Sequence, residues 1–253
     1  MNAAFLTVAT LWQREMVRFY RQPSRVVGAL GSPLVFWLLI GSGLGKSFQA
    51  GGMGYLEYFF PGTLLLILLF TSIFSTISLI EDRHEGFLQS VLIAPVPRAS
   101  LVLGKILGGA TLSFVQGFLF LLLAPFVGIH LTAGSWFLTM GIIFLNGFAL
   151  TGLGFLIAWQ LDSLQGFHAI MNLFLIPLWL LSGALFPGEG APVWMTVLMR
   201  INPLTYGVLS LRSALFGITS GPSLGFCLVI VFVFALTMLA LATMSAERKM
   251  TSS

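Results

Sequence analysis

Charge is what this chain has least of. Of its 253 residues, 8% are charged, 12 of them Lys or Arg and 8 Asp or Glu. A soluble domain carries about 25%, and so few ionised side chains do not cover the surface of a water-soluble fold this long. Cysteine is nearly absent too. Cys227 stands alone, which excludes a disulfide framework and a cysteine-built metal site. The three histidines, His84, His130 and His168, are far apart, and no His-Glu-x-x-His or Cys/His ligand spacing occurs. No Ser/His/Asp set is arguable either. What is abundant is apolar: 57% of residues, with 24 Phe, 6 Trp and 28 Gly. That content excludes disorder. The remaining class is an all-α polytopic membrane protein.

A helix needs about 20 residues to cross a hydrocarbon core of roughly 30 Å. Stretches free of Asp, Glu, Lys and Arg run 26–45, 58–80, 106–161, 163–188 and 213–246. The third holds two spans and a turn, placed at 125–135 where Pro, Gly and polar residues collect. Six spans follow, at about 26–45, 58–80, 101–124, 136–159, 166–187 and 223–244 of a single transmembrane domain.

Loop Lys and Arg set orientation. With the N-terminus inside, Arg14, Arg18, Arg21, Arg25, Arg83, Arg98, Lys105, Arg248 and Lys249 lie inside, and Lys46, Arg200 and Arg212 outside. Nine against three predicts both termini in the cytoplasm. The four arginines before the first apolar run, and the length of that run, argue against a cleaved signal peptide. Residues 4–22 predict an interfacial amphipathic helix. Arg14, Arg18, Arg21 and Arg25 are spaced 4, 3 and 4 on one stripe, with Phe5, Trp12, Met16, Phe19 and Tyr20 opposite. An ordinary basic flank before a first span is the alternative.

The densest charge cluster is Glu81-Asp82-Arg83-His84-Glu85, closing the second span. Residues 82–93 predict a short helix stopped by Pro95 and Pro97, with Phe87, Leu88, Val91 and Leu92 on one side. A charged start and an apolar face suit docking to a soluble partner; a solvated loop is the alternative. The outer segment 188–216 is too apolar for an open loop. It predicts two short helices, one around Trp194, Val197 and Leu198 and one from Leu204 to Phe216. Such a re-entrant hairpin survives at membrane depth only when packed against protein or water.

The run Gly45-Lys46-Ser47 ends like a phosphate-binding loop, but Ile40 stands where the first glycine belongs and no strand precedes it. Ion-driven carriers place ionisable groups inside the membrane. Here only Lys105 enters a span, four residues deep, where it is expected to snorkel. The mid-span polar groups are Gln116, Asn146, His168 and Asn172. Each is either an interhelical hydrogen bond or a substrate contact. The Gly41–Gly45, Gly104–Gly108 and Gly217–Gly221 spacings allow close helix packing. The residues thus describe a membrane protein without its own energy source. An ion-coupled secondary carrier or a channel is the rival reading.

Several stretches resemble one family. Glu81-Asp82-Arg83-His84-Glu85-Gly86-Phe87-Leu88, then Leu92-Ile93-Ala94-Pro95-Val96-Pro97-Arg98 and Leu103-Gly104-Lys105, resemble the segment after the second span of ABC-2-type exporter permeases. The drug-resistance and nodulation-factor branch is the most similar. Phe59-Phe60-Pro61-Gly62, Leu181-Ser182-Gly183-Ala184-Leu185-Phe186-Pro187 and Ile201-Asn202-Pro203-Leu204-Thr205-Tyr206 with Arg212 resemble further stretches of that family, in order and spacing. One departure is that Gly207-Val208-Leu209-Ser210 lacks the acidic residue often found there, leaving Arg212 without its expected charge partner.

The resemblance implies a permease dimer, a homodimer by preference, working with two ATP-binding cassette subunits in a plasma or inner membrane bilayer, and no nucleic acid. ATP and Mg would be used by the partner subunit, with no cofactor on this chain and no enzymatic activity of its own. Segment 81–97 would be the coupling segment, with Glu81, Asp82, Arg83, Glu85, Gly86 and Phe87 transmitting the ATPase stroke. The helix bearing Trp12, Arg14, Arg18 and Arg21 would touch the same subunit. Gln116, Asn146, His168 and Asn172 would line the substrate path, and Asn202, Pro203 and Tyr206 the outer gate. The substrate would be drug-like, lipid-linked or a glycan; Trp136, Trp159, Trp179 and Trp194 keep the glycan open.

Overall fold

The computed structural model describes residues 3–44, 54–188, 190–217 and 221–248. The Gly45-Lys46-Ser47 run lies outside them. Among the described residues there is no strand. The helices are α1 (Ala3–Tyr20), α2 (Pro23–Leu44), α3 (Tyr55–His84), α4 (Phe87–Ile93), α5 (Arg98–Leu121), α6 (Ala133–Gln160), α7 (Leu164–Ala184), α8 (Val193–Ile201), α9 (Pro203–Phe216) and α10 (Leu224–Arg248). Six of them, α2, α3, α5, α6, α7 and α10, are long and apolar enough to cross a membrane. The observed ends fall within four residues of those expected. A short 3-10 turn, Ala124–Val127, connects α5 and α6 where the turn was expected.

Helices are the solution because hydrocarbon offers no partner to backbone N–H and C=O groups, so each segment must satisfy its own. α3 is the central one. Its most apolar stretch is 89% buried, against 22% for α2 and 17% for α10. Its 30 residues span about 45 Å at 1.5 Å per residue, longer than a hydrocarbon core of roughly 30 Å. Its last turn therefore stands beyond the apolar layer and carries the charge cluster. α2, α5 and α6 pack around it, with α10 outside α6 and α1 across α5.

One expectation is corrected. The charged residues 82–84 do not open a short helix; they end α3. Gly86, in the left-handed conformation at φ 75°, breaks the chain there, and α4 begins only at Phe87. Without a Cβ, glycine adopts that turn at little cost. The fifth span is not a regular helix. π-helical turns at Met171–Leu175 and Leu180–Ala184 interrupt α7, and Gly183 at φ 77° ends it.

Helix contact depends on small residues. A Cβ on Gly104 would come within 3.1 Å of the Val8 carbonyl, and one on Gly108 within 2.8 Å of Glu15 Cβ. The Gly104–Gly108 spacing is therefore the notch in which α1 crosses α5. Gly62 plays that part between α3 and α7, where an added Cβ would sit 2.7 Å from the Ala184 carbonyl oxygen. Backbone on both sides cannot give way. Gly62→Val is expected to destabilise the protein by roughly 1–3 kcal/mol, as overpacking does. The check is the thermal unfolding midpoint in detergent, with Gly141→Val, a site with open space around it, as the tolerated control.

Candidate functional site

The notch between α1 and α5 forces charged groups together at one end of the bundle. Lys105, expected to snorkel, does not. Its Nζ bonds Glu15 of α1 and Asp82 of α3, and donates to Ser78 Oγ at 3.2 Å. Ser78 Oγ donates to the other Glu15 oxygen at 2.8 Å. Asp82 is 0% exposed and also accepts from Arg14 and Arg18, each at 2.7 Å. Arg18 reaches on to Glu81 and Glu85, both at 3.4 Å, and Arg25 pairs with Glu81. Four cations, Arg14, Arg18, Arg25 and Lys105, thus meet four anions, Glu15, Glu81, Asp82 and Glu85. The Arg14 guanidinium also lies 3.5 Å from the centroid of the Phe87 ring, the first residue of α4.

The arginine stripe of α1 consequently turns partly inward. Arg14 and Arg18 face Asp82, while Phe5, Trp12 and Tyr20 face outward. Trp12 also donates to Thr111 of α5 at 3.0 Å. Burial works against the Arg18 charge. Its hydrogen bond to Asp82 and the charges of Asp82, Glu81 and Glu15 outweigh that, and its pKa is raised above the ordinary value.

A second fastening lies beside the first. Arg83 donates to Asp162 at 2.6 Å and to the carbonyls of Trp159 and Leu161 at 2.7 and 2.8 Å. A cation on the last carbonyls of α6 suits the negative end of its dipole. His84 meets the Asp162 carbonyl at 2.8 Å. Trp159 in turn donates to the Ser245 carbonyl of α10 at 3.0 Å.

The six residues expected to meet a partner therefore divide. Asp82, Arg83 and most of Glu81 are fasteners within the chain. Glu85, whose side chain is 59% exposed, sits at the surface, and Gly86 and Phe87 beside it are half-buried. In α4 the Leu88 side chain is buried, whereas Gln89, Ser90 and Ile93 are exposed. α4 is thus anchored on one side and open on the other. A groove of about 300 Å³ runs between it and α1, lined by Thr7, Thr10, Phe87, Ser90 and Val91.

The other end of the bundle is tied by hydrogen bonds. Tyr55 and Tyr58 of α3 donate to the Leu185 and Gly183 carbonyls at 2.8 and 3.3 Å. Trp179 donates to the Gly62 carbonyl at 2.8 Å. Asn202 caps α9 through the Leu204 N–H and donates to the Leu178 carbonyl. Pro203 opens α9 at its first position, and Tyr206 donates to the Arg200 carbonyl at 2.7 Å. Arg212, lacking an acidic neighbour in sequence, lies 4.4 Å from the Tyr58 ring centroid and donates to the Gly183 carbonyl. The aromatic face and the carbonyl stand in for the missing carboxylate.

The mid-span polar residues also divide. Gln116 accepts from Thr71 at 2.8 Å, and Asn146 donates to the Ile142 carbonyl at 2.9 Å; both are buried among helices. His168 and Asn172 are exposed on the outward face of α7 with Gln165. Sequence reasoning missed Glu15 and Ser78, and gave Lys105 a snorkelling role in place of its buried ion pairs. Glu15 gave a signal: it is the one acid in the first 56 residues, and it lies four residues after Leu11 on the buried side of α1. No group of three or more His, Cys, Asp or Glu placed to hold a metal occurs among the described residues.

Six apolar helices, a charge-fastened end and a short half-anchored helix there define a multi-span α-helical membrane protein. Residues 7–216 match the family described as ABC-2 type transporter, and the chain belongs to that family. It is 30% identical over 207 residues to the transport permease named ycf38 of Cyanophora paradoxa, covering 80% of this chain and 71% of that one. It is 25% identical to nodulation protein J of Rhizobium leguminosarum bv. trifolii, covering 82% and 80%. It is also 25% identical to the daunorubicin resistance ABC transporter permease protein DrrB1 of Streptomyces coeruleorubidus, covering 85% and 77%. The chain is a membrane transport permease.

Removing one partner from a buried ion cluster strands the others. Asp82→Asn is expected to cost roughly 3–5 kcal/mol and to loosen α1 from the bundle. Accelerated protease cleavage within residues 3–20, in membranes, reads this out; Glu85→Gln at the exposed rim is expected to leave cleavage unchanged.

Proposed function

We propose that this chain is the membrane-spanning subunit of an ATP-driven exporter, hydrolysing no nucleotide itself and taking its energy from two separate ATP-binding cassette subunits. Both termini and the charged end face the cytoplasm, in the plasma membrane or the inner membrane of a two-membrane cell. The observation that carries this reading is the state of α4. It is held at its base by Leu88 and by Arg14 stacked on Phe87, yet its far side is open. A short helix fixed to the transmembrane core and bare outward suits receiving a push from a soluble partner. The ion cluster then delivers that push to α1, α3 and α5 together. Glu85 and the open side of α4 form the contact surface, Gly86 and Phe87 join that side to the core, and Glu81, Asp82 and Arg83 pass the motion inward. ATP and Mg act in the partner.

A second copy of the chain completes the path. Gln165, His168 and Asn172 form an exposed polar row on α7, and polar side chains facing hydrocarbon are costly. Facing a second copy across a substrate path relieves that cost. The row accommodates a drug-like or lipid-linked molecule or a glycan. A relative named for daunorubicin resistance supports the drug-like class. Asn202, Pro203 and Tyr206, at the far end, shape the exit through the α8–α9 hairpin.

The test is co-purification of the tagged chain with its ATPase, followed by reconstitution. Glu85→Arg with Phe87→Ala is expected to lower export per ATP hydrolysed by about 5- to 150-fold, the span of a 1–3 kcal/mol coupling free energy, while membrane insertion persists. Unchanged transport in the double variant contradicts the assignment of α4. Purification of the chain alone, indifferent to every candidate ATPase, favours the secondary-carrier or channel reading.

A further inference from the structure

We infer that the groove along α1 is a binding site for the phosphate headgroup of an anionic bilayer lipid. The groove has a volume of about 590 Å³ and is lined by Thr10, Gln13, Arg14, Val17, Arg18, Arg21 and Gln22. Thr10, Gln13, Arg14, Val17 and Arg18 form one stripe of α1, and Arg21 and Gln22 follow its last residue, so three guanidinium groups border a single hollow. The eight-member ion cluster is balanced, and Arg21 is not one of its members. Arg21 is exposed and enters no ion pair among the described residues. The hollow thus carries one surplus positive charge, next to two arginines held in place by Asp82.

Its depth identifies the anion. Gln22, at one rim, directly precedes Pro23, where the apolar membrane-crossing helix α2 begins. That rim therefore lies at the level of the headgroups. Trp12 and Tyr20, the latter 87% exposed, face outward from the same helix, the pairing of aromatic belt and basic side chain that marks a membrane edge. A phosphodiester at that level meets arginine donors without leaving the bilayer, and charge-assisted bonds to a guanidinium hold it. Val17, in the lining, gives the glycerol and first methylenes an apolar side to lie on.

The lipid measurement needs neither substrate nor ATPase; a parallel co-purification with the ATPase serves as the second readout. The full chain is placed in nanodiscs of phosphatidylcholine with increasing phosphatidylglycerol, and retained phosphatidylglycerol is counted by native mass spectrometry. Arg21→Gln is expected to lower the apparent affinity for phosphatidylglycerol about fivefold, the effect of one basic residue at an anionic surface, with Arg200→Gln as the unaffected control. Equal retention by Arg21→Gln and the parent overturns the site. Displacement of the lipid by inorganic phosphate assigns the groove to a soluble anion and overturns the lipid. If Arg21→Gln leaves lipid retention intact but weakens co-purification of the ATPase, the groove belongs to an acidic protein surface, which also overturns it. Unchanged size-exclusion elution of the variant separates each outcome from misfolding.

Discussion

Asp82, wholly enclosed, holds the charged end of this protein together. A carboxylate with no exposure is tolerated only when its charge is matched and its oxygens are bonded. Here Lys105, Arg14 and Arg18 supply both, from two different helices. The constraint runs in both directions. Lys105 cannot reach water once α1 covers it, and Glu15 cannot approach Lys105 unless Gly104 and Gly108 let α1 sit against α5. Each charge is admissible because the others are present. The arrangement ties three helices with directional bonds, which apolar contact between lipid-bathed helices does not supply.

α3 is the element that joins the two ends. It carries Asp82 and Arg83 at one end and Tyr55, Tyr58 and Gly62 at the other, and it is buried over almost its whole length. At the far end it meets α7 where that helix is π-helical and turns at Gly183. Irregular backbone of this kind frequently accompanies function. The Gly183 carbonyl, released from the helix pattern, is taken up by Tyr58 and Arg212. Through the Gly183 carbonyl, hydrogen bonds link this end of α3 to Arg212 of the α8–α9 hairpin.

Much of this was legible in the sequence, and the reason is physical. Six spans follow from where charge is missing, because hydrocarbon admits little of it. The α8–α9 hairpin follows from an apolar segment bounded by prolines. The resemblance to ABC-2 permeases rests on motifs that the fold brings together: Phe59–Gly62, Leu181–Pro187 and Asn202–Tyr206 all meet at one end. What did not read out was the partner of each charge. Lys105 looked like a snorkelling residue because sequence gives its depth and not its neighbours. Residues 82–84 looked like the start of a short helix because their charge, and not the left-handed turn at Gly86, dominated the pattern. Gln116 and Asn146 could not be told from His168 and Asn172, since one polar group in a span looks like another until its face is known. The groove along α1 depends on which way the arginine stripe turns, and that is decided by Asp82, far away in sequence.

The central claim is that the buried charges act as one unit. A double-mutant cycle on Glu15 and Lys105 tests it most directly, with Glu15→Gln, Lys105→Met and the pair measured by unfolding in detergent. The account predicts a strong loss for each single change, since each leaves an opposite charge buried, and a loss in the pair well below the sum, by roughly 0.5–3 kcal/mol of interaction energy. Additive losses would contradict it and reduce the cluster to independent surface pairs.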